Sequence, residues 1–509
     1  MKALSRAKFL LVLLAVVSAQ AAEDNDWPQL AHDSGRTAFA RDGVAPPYQA
    51  RWIWCGPAKT LRNKAANPAW PDDLANGTKP GANYPMPERV PFTFAGRAQP
   101  VTAGGRVFIG DMDGNVYALA LDDGRTLWVG SNPGGTCAAL AVAGGVVVAT
   151  AIPGGLTGLD AATGQPRWHV ETPKAITGAP LVMGDRIFSG CHDGRVYALE
   201  TSTGQLLWTS PILEAPIVSD LCGDAAAIYA GAENMFFHKL EAATGRLLAK
   251  TRLNGQSFRL LYPVLHQQLV FVQTVQPICV GSEYVMEGVM RDSPDIATEQ
   301  TNIRRWLAGD TNGGKWPDAS PAWKHLFVLR AADLTEPFTV PNGPADGCGS
   351  PAPPPVVDNG GRVLAWFKTA YPTLTAKGSF GTRYSMDISA IDLTSGLRRP
   401  IDNGRLSGTT GETDNLFALS VGGPYLYLRQ RFRGTKVIDL PHSTAHAIEA
   451  PLRTQDGGSW PADVVYRDTG GLPHRSQPAL AGREAVVISG DKLLFAEEYC
   501  ITCVEHRAP

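Results

Sequence analysis

Cys500-Ile501-Thr502-Cys503 is the sharpest chemical signal in this chain. A C-x-x-C pair can be a redox-active dithiol, half of a zinc site, or part of a disulfide framework. Covalent haem attachment would need His directly after the second Cys, but Val504 follows and His506 comes later. No second C-x-x-C completes a zinc site, and no thioredoxin-like βαβ context surrounds the pair. The expectation is a structural disulfide, within the pair or to another Cys, and no metal. Cys279 and Cys348 flank a long irregular region and are the candidates for a long-range bridge.

A second constellation is polar. In "RQRFR" strand alternation puts Arg429, Arg431 and Arg433 on one side, an arrangement that could grip a carboxylate or phosphate. Asp111, His192, Asp193, Glu233 and Asn234 fall in comparable connections between strands, and His474 and Arg475 lie in a longer one. Together they are candidates for a polar ring that meets a ligand. Singly, each also reads as a turn residue; Asp113 and Asp193 precede Gly in "DG" turns. No Ser/His/Asp set, phosphate loop or HExxH appears, so no residue is assigned a catalytic role.

The elements that hold these residues are repeats. "MDGNVYALALDDGRTLW", Met112 to Trp128, returns as "HDGRVYALETSTGQLLW", His192 to Trp208. "GLDAATGQPRW" and "KLEAATGRLLAK" are shorter versions. Trp128, Trp168 and Trp208 stand 40 residues apart, and Gly124, Gly164, Gly204 and Gly245 keep steps of 40, 40 and 41. The alternation in "VYAL" suits a strand. Gly supplies the positive φ of the turn, and Asp160, Glu200 or Glu241 can accept turn N–H groups. Trp then closes the outer strand and can cover a neighbouring unit. A unit of this kind cannot bury both faces alone, so a period near 40 predicts blades stacked around a ring.

These hairpins resemble the PQQ-like β-propeller repeat family, specifically over Ala98 to Leu253 and more weakly to the end. "DWPQLAHDSGRTAFA", Asp26 to Ala40, looks like the N-terminal leader of its secreted members. The expected fold is all-β, one eight-bladed β-propeller, with seven as the alternative count. Blades one to four begin near Ala98, Cys137, Gly178 and Ala215. "RLLYPVLHQQLVFVQTV" opens the fifth, finished by "HLFVLRAADL"; "PPPVVDNGGRVLAWF" the sixth, finished by "DISAIDLTSGLRRP"; "LFALSVGGPYLYLRQRF" the seventh, finished by "GTKVIDL". "SQPALAGREAVVISGDKLLFAEE" is expected to give strands A, B and C of the eighth. Its strand D would be Gln49 to Cys55, so that the N-terminal strand closes the ring and removes two open edges. The resemblance also raises quinoprotein dehydrogenases. These typically use two adjacent Cys joined as a disulfide against PQQ, and a Ca²⁺ held by acidic and amide side chains. This chain has no Cys-Cys pair, so none of those residues carries over.

The A–B and C–D turns are short, while the long segments fall in the D–A and B–C connections, which share the opposite face of such a ring. They are Cys55 to Gly96, Gln276 to Lys324, Thr369 to Met386, Asp402 to Asn415 and Arg453 to Arg475. Long connections gathered on one face favour function there. Within the largest, Pro294 to Gly309 is expected to form a short helix, with Ser293 as N-cap and Pro294 at N1, lying as a lid over the ring mouth.

Bulk properties narrow the function. The 509 residues are 44% hydrophobic, with 54 Gly and 39 Pro. The formal charge of −2 suits neither nucleic acid nor an anionic membrane as partner. Lys2, Arg6 and Lys8, the apolar run Phe9 to Val17, and Ala19-Gln20-Ala21 read as a cleaved secretory signal. Cleavage near Ala21 removes three positive charges and no negative ones, taking −2 to −5. No Cys near the cleavage site predicts a lipid anchor, and no later segment is expected to cross a membrane. The domain reading is 1–21 signal peptide, 22–48 leader and 49–509 propeller, with insertions near 57–96, 276–324 and 369–386. The functional expectation is an exported, monomeric, non-catalytic binding or scaffold protein of the periplasm or cell exterior. It would engage a protein, peptide or glycan through its loop-rich face, without a cofactor. The alternative is a PQQ-dependent oxidoreductase with Ca²⁺.

Overall fold

The computed structural model describes residues 26–58, 60–70, 98–275, 295–316, 324–342, 352–374, 380–401, 417–430, 434–447, 484–496 and 500–507, together with Phe94, Val289, Ser293, Asp318 and Ala319.

 Eight separate sheets are present among them, and one α-helix of three turns. The fold is an eight-bladed β-propeller.

Blade one shows the unit. Strand A, Val101–Ala103, lines the axis; strand B, Arg106–Gly110, and strand C, Asn115–Ala120, follow; strand D, Thr126–Ser131, is outermost. All three pairings are antiparallel. A register shift between Ala118 and Leu119 bends the sheet before its outer strand. The same irregularity recurs at Gly158/Leu159, Ala198/Leu199 and Lys239/Leu240, so four blades are cut to one pattern. Strands B and C are buried throughout their middles, while strand D alternates between half-buried and exposed. That gradient is what a sheet seen edge-on from a ring axis requires.

The Trp–Gly pattern is the joint between blades. Trp128 Nε1 donates to Ala161 O of the next blade (3.1 Å), Trp168 Nε1 to Thr201 O (2.9 Å), and Trp208 Nε1 to Ala242 O (3.2 Å). Each indole lies on the turn glycine three residues further on: Gly164, Gly204 and Gly245, all at φ +71 to +74. A Cβ there would stand 2.4–2.6 Å from the ring, so the positive φ and the missing side chain are both needed. Trp52 repeats the joint across the seam, with Nε1 on Leu121 O (2.9 Å) and its ring on Gly124.

Ring closure is as expected in kind, with one correction in detail. Tyr48–Trp54 is the fourth strand of blade eight and pairs antiparallel with Ile501–His506. Val487–Ser489 and Lys492–Ala496 complete its inner side and Thr60–Arg62 adds a fifth strand outside Tyr48–Trp54, so strands A, B and C lie one strand later than "SQPALAGREAVVISGDKLLFAEE" suggested. Ile501 to Cys503 of the C-x-x-C consequently open strand C of a blade.

Blade five departs most from the unit. It has three strands among the described residues, Val264–His266, Leu269–Gln273 and Leu326–Arg330. After its turn the chain starts outward as in the other blades, with Arg330 N donating to Thr335 O, but Pro337 cannot extend a ladder. Phe338 still lies on Gly396 of blade six, taking the place of the missing Trp. In blade six the B–C insertion is a hairpin extension: Val363–Leu374 and Phe380–Ile391 stay paired to Leu374↔Phe380.

The helix α1, Ile296–Leu307, is not a lid. Gln300 accepts from Arg398 N (2.7 Å) and donates to Arg398 O (3.1 Å), so its amide pairs with the outermost strand of blade six. Arg304 donates to Thr339 O and Ser395 O at the short-turn end. The helix therefore stands on the outer circumference beside blade five's missing strand. Asp295, rather than Ser293, is its N-cap, accepting from Thr298 N at 2.7 Å. Beneath it Arg398 is buried between Glu299 (2.6 Å) and Asp387 (3.1 Å), over the Phe367 ring.

Candidate binding face

The axis is filled at one end by the leader. Thr102 N of blade one donates to Trp27 O, Val142 N of blade two to Pro28 O, and Val182 N of blade three to the Gln29 side chain. Gly223 N then donates to Ser34 O, Leu265 N to Gly35 O, Val357 N to Thr37 O and Val421 N to Ala38 O. Seven successive blades thus place an inner-strand N–H on one segment, which covers strand edges that would otherwise be open. Phe39–Ala40 completes the circuit as a parallel strand against blade seven. Arg36 is fully buried and donates to the carbonyls of Leu30, Leu221 and Pro180. Burial lowers its pKa from the usual guanidinium value, against the pull of Asp220, Cys222 and Asp33. Since the bonded residues precede the A–B turns, the plug lies toward the short-turn face.

The opposite face is built from B–C turns latched to D–A connections. Ile152 N donates to Gly135 O, His192 N to Ala175 O, Glu233 N to Pro216 O and Val275 N to Ser257 O. Met112, Ile152, His192 and Glu233 hold corresponding positions in blades one to four. Met112 and Ile152 are exposed, and so are Ile212 and Leu260 on neighbouring D–A connections. Leu260 keeps φ +69 with its side chain in solvent. A positive φ is costly for a branched residue, and strain of this kind gathers at binding sites.

The polar candidates divide clearly. Asp111 is buried and its carboxylate accepts from Asp113 N, Asn115 N, the Asn115 amide and Tyr117 Oη. Asp193 accepts from Arg195 N and Tyr197 Oη (2.6 Å). Asn234 braces its own turn through Phe236 N and Leu213 O. Arg429 is buried, donating to Glu484 O and Ala496 O. These four hold turns and strands rather than facing a ligand. His192 and Glu233 do stand on the face: His192 Nε2 is 2.8 Å from Thr177 Oγ1, and Glu233 accepts from Ser257 Oγ and Phe258 N. Burial lowers the His192 pKa, with Arg259 and Lys174 adding to the effect and Glu233 opposing it. Arg431, Arg433, His474, Arg475, Cys279 and Cys348 lie outside the described residues.

Cys500 directly precedes the strand Ile501–His506 that carries Cys503, and alternation over three residues sets the two toward opposite sheet faces, which does not suit a bond within the pair. Cys503 carries a free thiol. Among the described residues no three His, Cys, Asp or Glu side chains converge as metal ligands. Among the described residues on the axis, Arg36, Gln99 and Asp220 are tied to the plug and to the backbone, Asp220 through Ala179 N (2.6 Å). No described helix is long and apolar enough to cross a membrane.

The architecture defines a plugged, eight-bladed propeller with one elaborated face. The family model described as "Outer membrane protein assembly factor BamB" matches residues 66–228. The BamB proteins of Xanthomonas campestris pv. campestris and Salmonella typhimurium are each 29% identical, over 191 and 188 residues. Each match covers 35% of this chain, and the chain spans about half the length, 46%, of those relatives. The quinohemoprotein alcohol dehydrogenase of Comamonas testosteroni is similar in fold, with a TM-score of 0.55, 12% identity, and coverage of 97% of this chain and 84% of that one. Over residues 66–228 the chain is similar to the PQQ-like β-propeller repeat family.

Proposed function

We propose that this chain is an exported, non-catalytic scaffold that holds a protein partner on its D–A/B–C face. The observation that carries the reading is the arc Met112, Ile152, Ile212 and Leu260 around blades one to four, four exposed apolar side chains on the latched face. Single exposed apolar residues are ordinary, but a run of them on one face marks an interaction surface. Lys174 and Arg259 beside His192 add positive charge, which suits a polypeptide with acidic residues flanking an apolar stretch. The relatives' name, outer membrane protein assembly factor, supports a role in handling proteins. No cofactor is needed for this role.

Site-specific photo-crosslinking in the cell envelope tests it. A photoreactive residue at Leu260 or Ile152 should give a discrete protein adduct, and one at Leu206 on the outer circumference should not. Equal labelling at all three positions, or none at any, would refute the reading.

A further inference from the structure

We propose that Cys55 and Cys500 form a disulfide that fastens the ring where its two chain ends meet. The closing strand and the last strand pair with the register Trp52↔Cys503, Ile53↔Thr502 and Trp54↔Ile501. Cys55 directly follows one strand and Cys500 directly precedes the other, so continuing the register by one step would set them opposite each other. Directly opposed residues of an antiparallel ladder share a sheet face, with Cα atoms about 4.5–5.5 Å apart. The two sulfurs are not joined in this structure, and a disulfide spans Cα separations of about 4.4–6.8 Å, a range that includes the spacing of opposed ladder residues. Both residues also join one apolar cluster, Cys500 in its buried part and Cys55 packed at its margin.

The other described cysteines do not compete. Cys503 faces the opposite side of the sheet, and burial pushes its thiol well above the usual range, which keeps it protonated. Cys137, Cys191 and Cys222 belong to blades two to four.

The position gives the bond its consequence. Blade eight is the blade assembled from both ends of the chain, and its ladder is the seam of the ring. Cys55 and Cys500 are 445 residues apart, so the link would close a very long loop. Long loops are those whose closure most restricts the unfolded chain. The chemistry is thiol–disulfide exchange. One sulfur–sulfur bond forms between the two cysteines as both thiols are oxidised. A small-molecule or protein disulfide supplies the oxidising equivalents, takes up both protons and electrons, and leaves as two thiols. The inference is independent of what the elaborated face binds.

The test is peptide mapping of the full chain after equilibration with oxidised glutathione, trapping with iodoacetamide, and digestion without reductant. The expected product is one linked peptide pair containing Cys55 and Cys500, lighter than the two thiol peptides by two hydrogens. Recovery of both as alkylated peptides, or linkage of either to another cysteine, would overturn the proposal. A thermal melt gives a second readout: reductant should lower the unfolding midpoint of the native chain and leave Cys55→Ser unchanged. An equal fall in both would also overturn it.

Discussion

The joint between blades two and three makes a quantitative prediction, because its two halves oppose each other through one contact. Trp168 is 9% exposed, bonds to Thr201 O, and lies flat on Gly204. Trp168→Ala removes a large, nearly buried side chain and should cost about 3–5 kcal/mol. Gly204→Ala meets two penalties. The φ of +71 costs an L-residue about 1–2 kcal/mol. A Cβ placed 2.6 Å from Trp168 Cδ2 also has to displace the indole, an overpacking penalty of about 1–3 kcal/mol. Once Trp168 is gone, the second penalty has no source. Gly204→Ala in the Trp168→Ala background should therefore cost only its backbone share, about 1–2 kcal/mol.

The assay is urea unfolding of the four proteins followed by circular dichroism, since fluorescence would change with the loss of Trp168. The double variant should be more stable than the sum of the single costs by about 1–3 kcal/mol. Additivity within about 0.5 kcal/mol would show that Gly204 is glycine for its backbone alone, and that the indole does not define the joint. Unequal transition slopes among the variants would signal loss of cooperativity, and the cycle would then be repeated on midpoints from thermal unfolding.

Three other outcomes are expected. Burial raises the Glu299 carboxyl to about 7 against an ordinary 4.5, despite Arg398. The folded state then holds the proton more tightly, so this group's contribution is full below about pH 4.5 and is lost as pH rises through 7. Glu299→Gln should flatten that slope in a pH series of thermal melts, gaining up to ~3 kcal/mol relative to the native chain above pH 7. Arg398→Met, by contrast, leaves two buried carboxyl groups without their counter-charge and should destabilise by about 3–5 kcal/mol in urea unfolding. Arg36→Met leaves the carbonyls of Leu30, Pro180 and Leu221 without their donor and should cost at least about 3 kcal/mol in the same assay. Arg36→Lys should rescue little of it, because an ammonium lacks the planar fork.

How much of this was legible follows from what each feature needs. Blades one to four could be read because Trp168 and Gly204 must recur at fixed offsets for the joint to form. Blade eight was displaced by one strand because "AGRE" copies an A–B turn. Its true strand C, Ile501–His506, has no hairpin turn after it, since its partner comes from the other end of the chain. The capping residues pointed to a helix, but caps do not name its neighbour; the pairing of Gln300 with Arg398 does. On the elaborated face, charged residues drew the reading, and Asp111 and Arg429 proved to be internal braces. Met112 and Ile152 carried a signal that could have been found, since they align with His192 and Glu233 in the repeat.

The plug was the least legible feature, and it constrains function the most. Its contacts are largely backbone to backbone: Pro28 O, Ser34 O, Gly35 O and Thr37 O could belong to almost any residue. No side-chain pattern records them. Their effect is to use the inner edges of seven blades for structure, and to fill the axis from the short-turn side. The short-turn face is itself occupied by the C–D turns that receive the indoles of Trp52, Trp128, Trp168 and Trp208. Among the described residues, what the ring leaves open is the latched face, where the B–C turns are held by backbone bonds and their second residue differs from blade to blade. Met, Ile, His and Glu occupy that position in successive blades. A surface whose backbone is fixed and whose side chains change from blade to blade is suited to recognising a partner, and it leaves the framework untouched when its specificity changes.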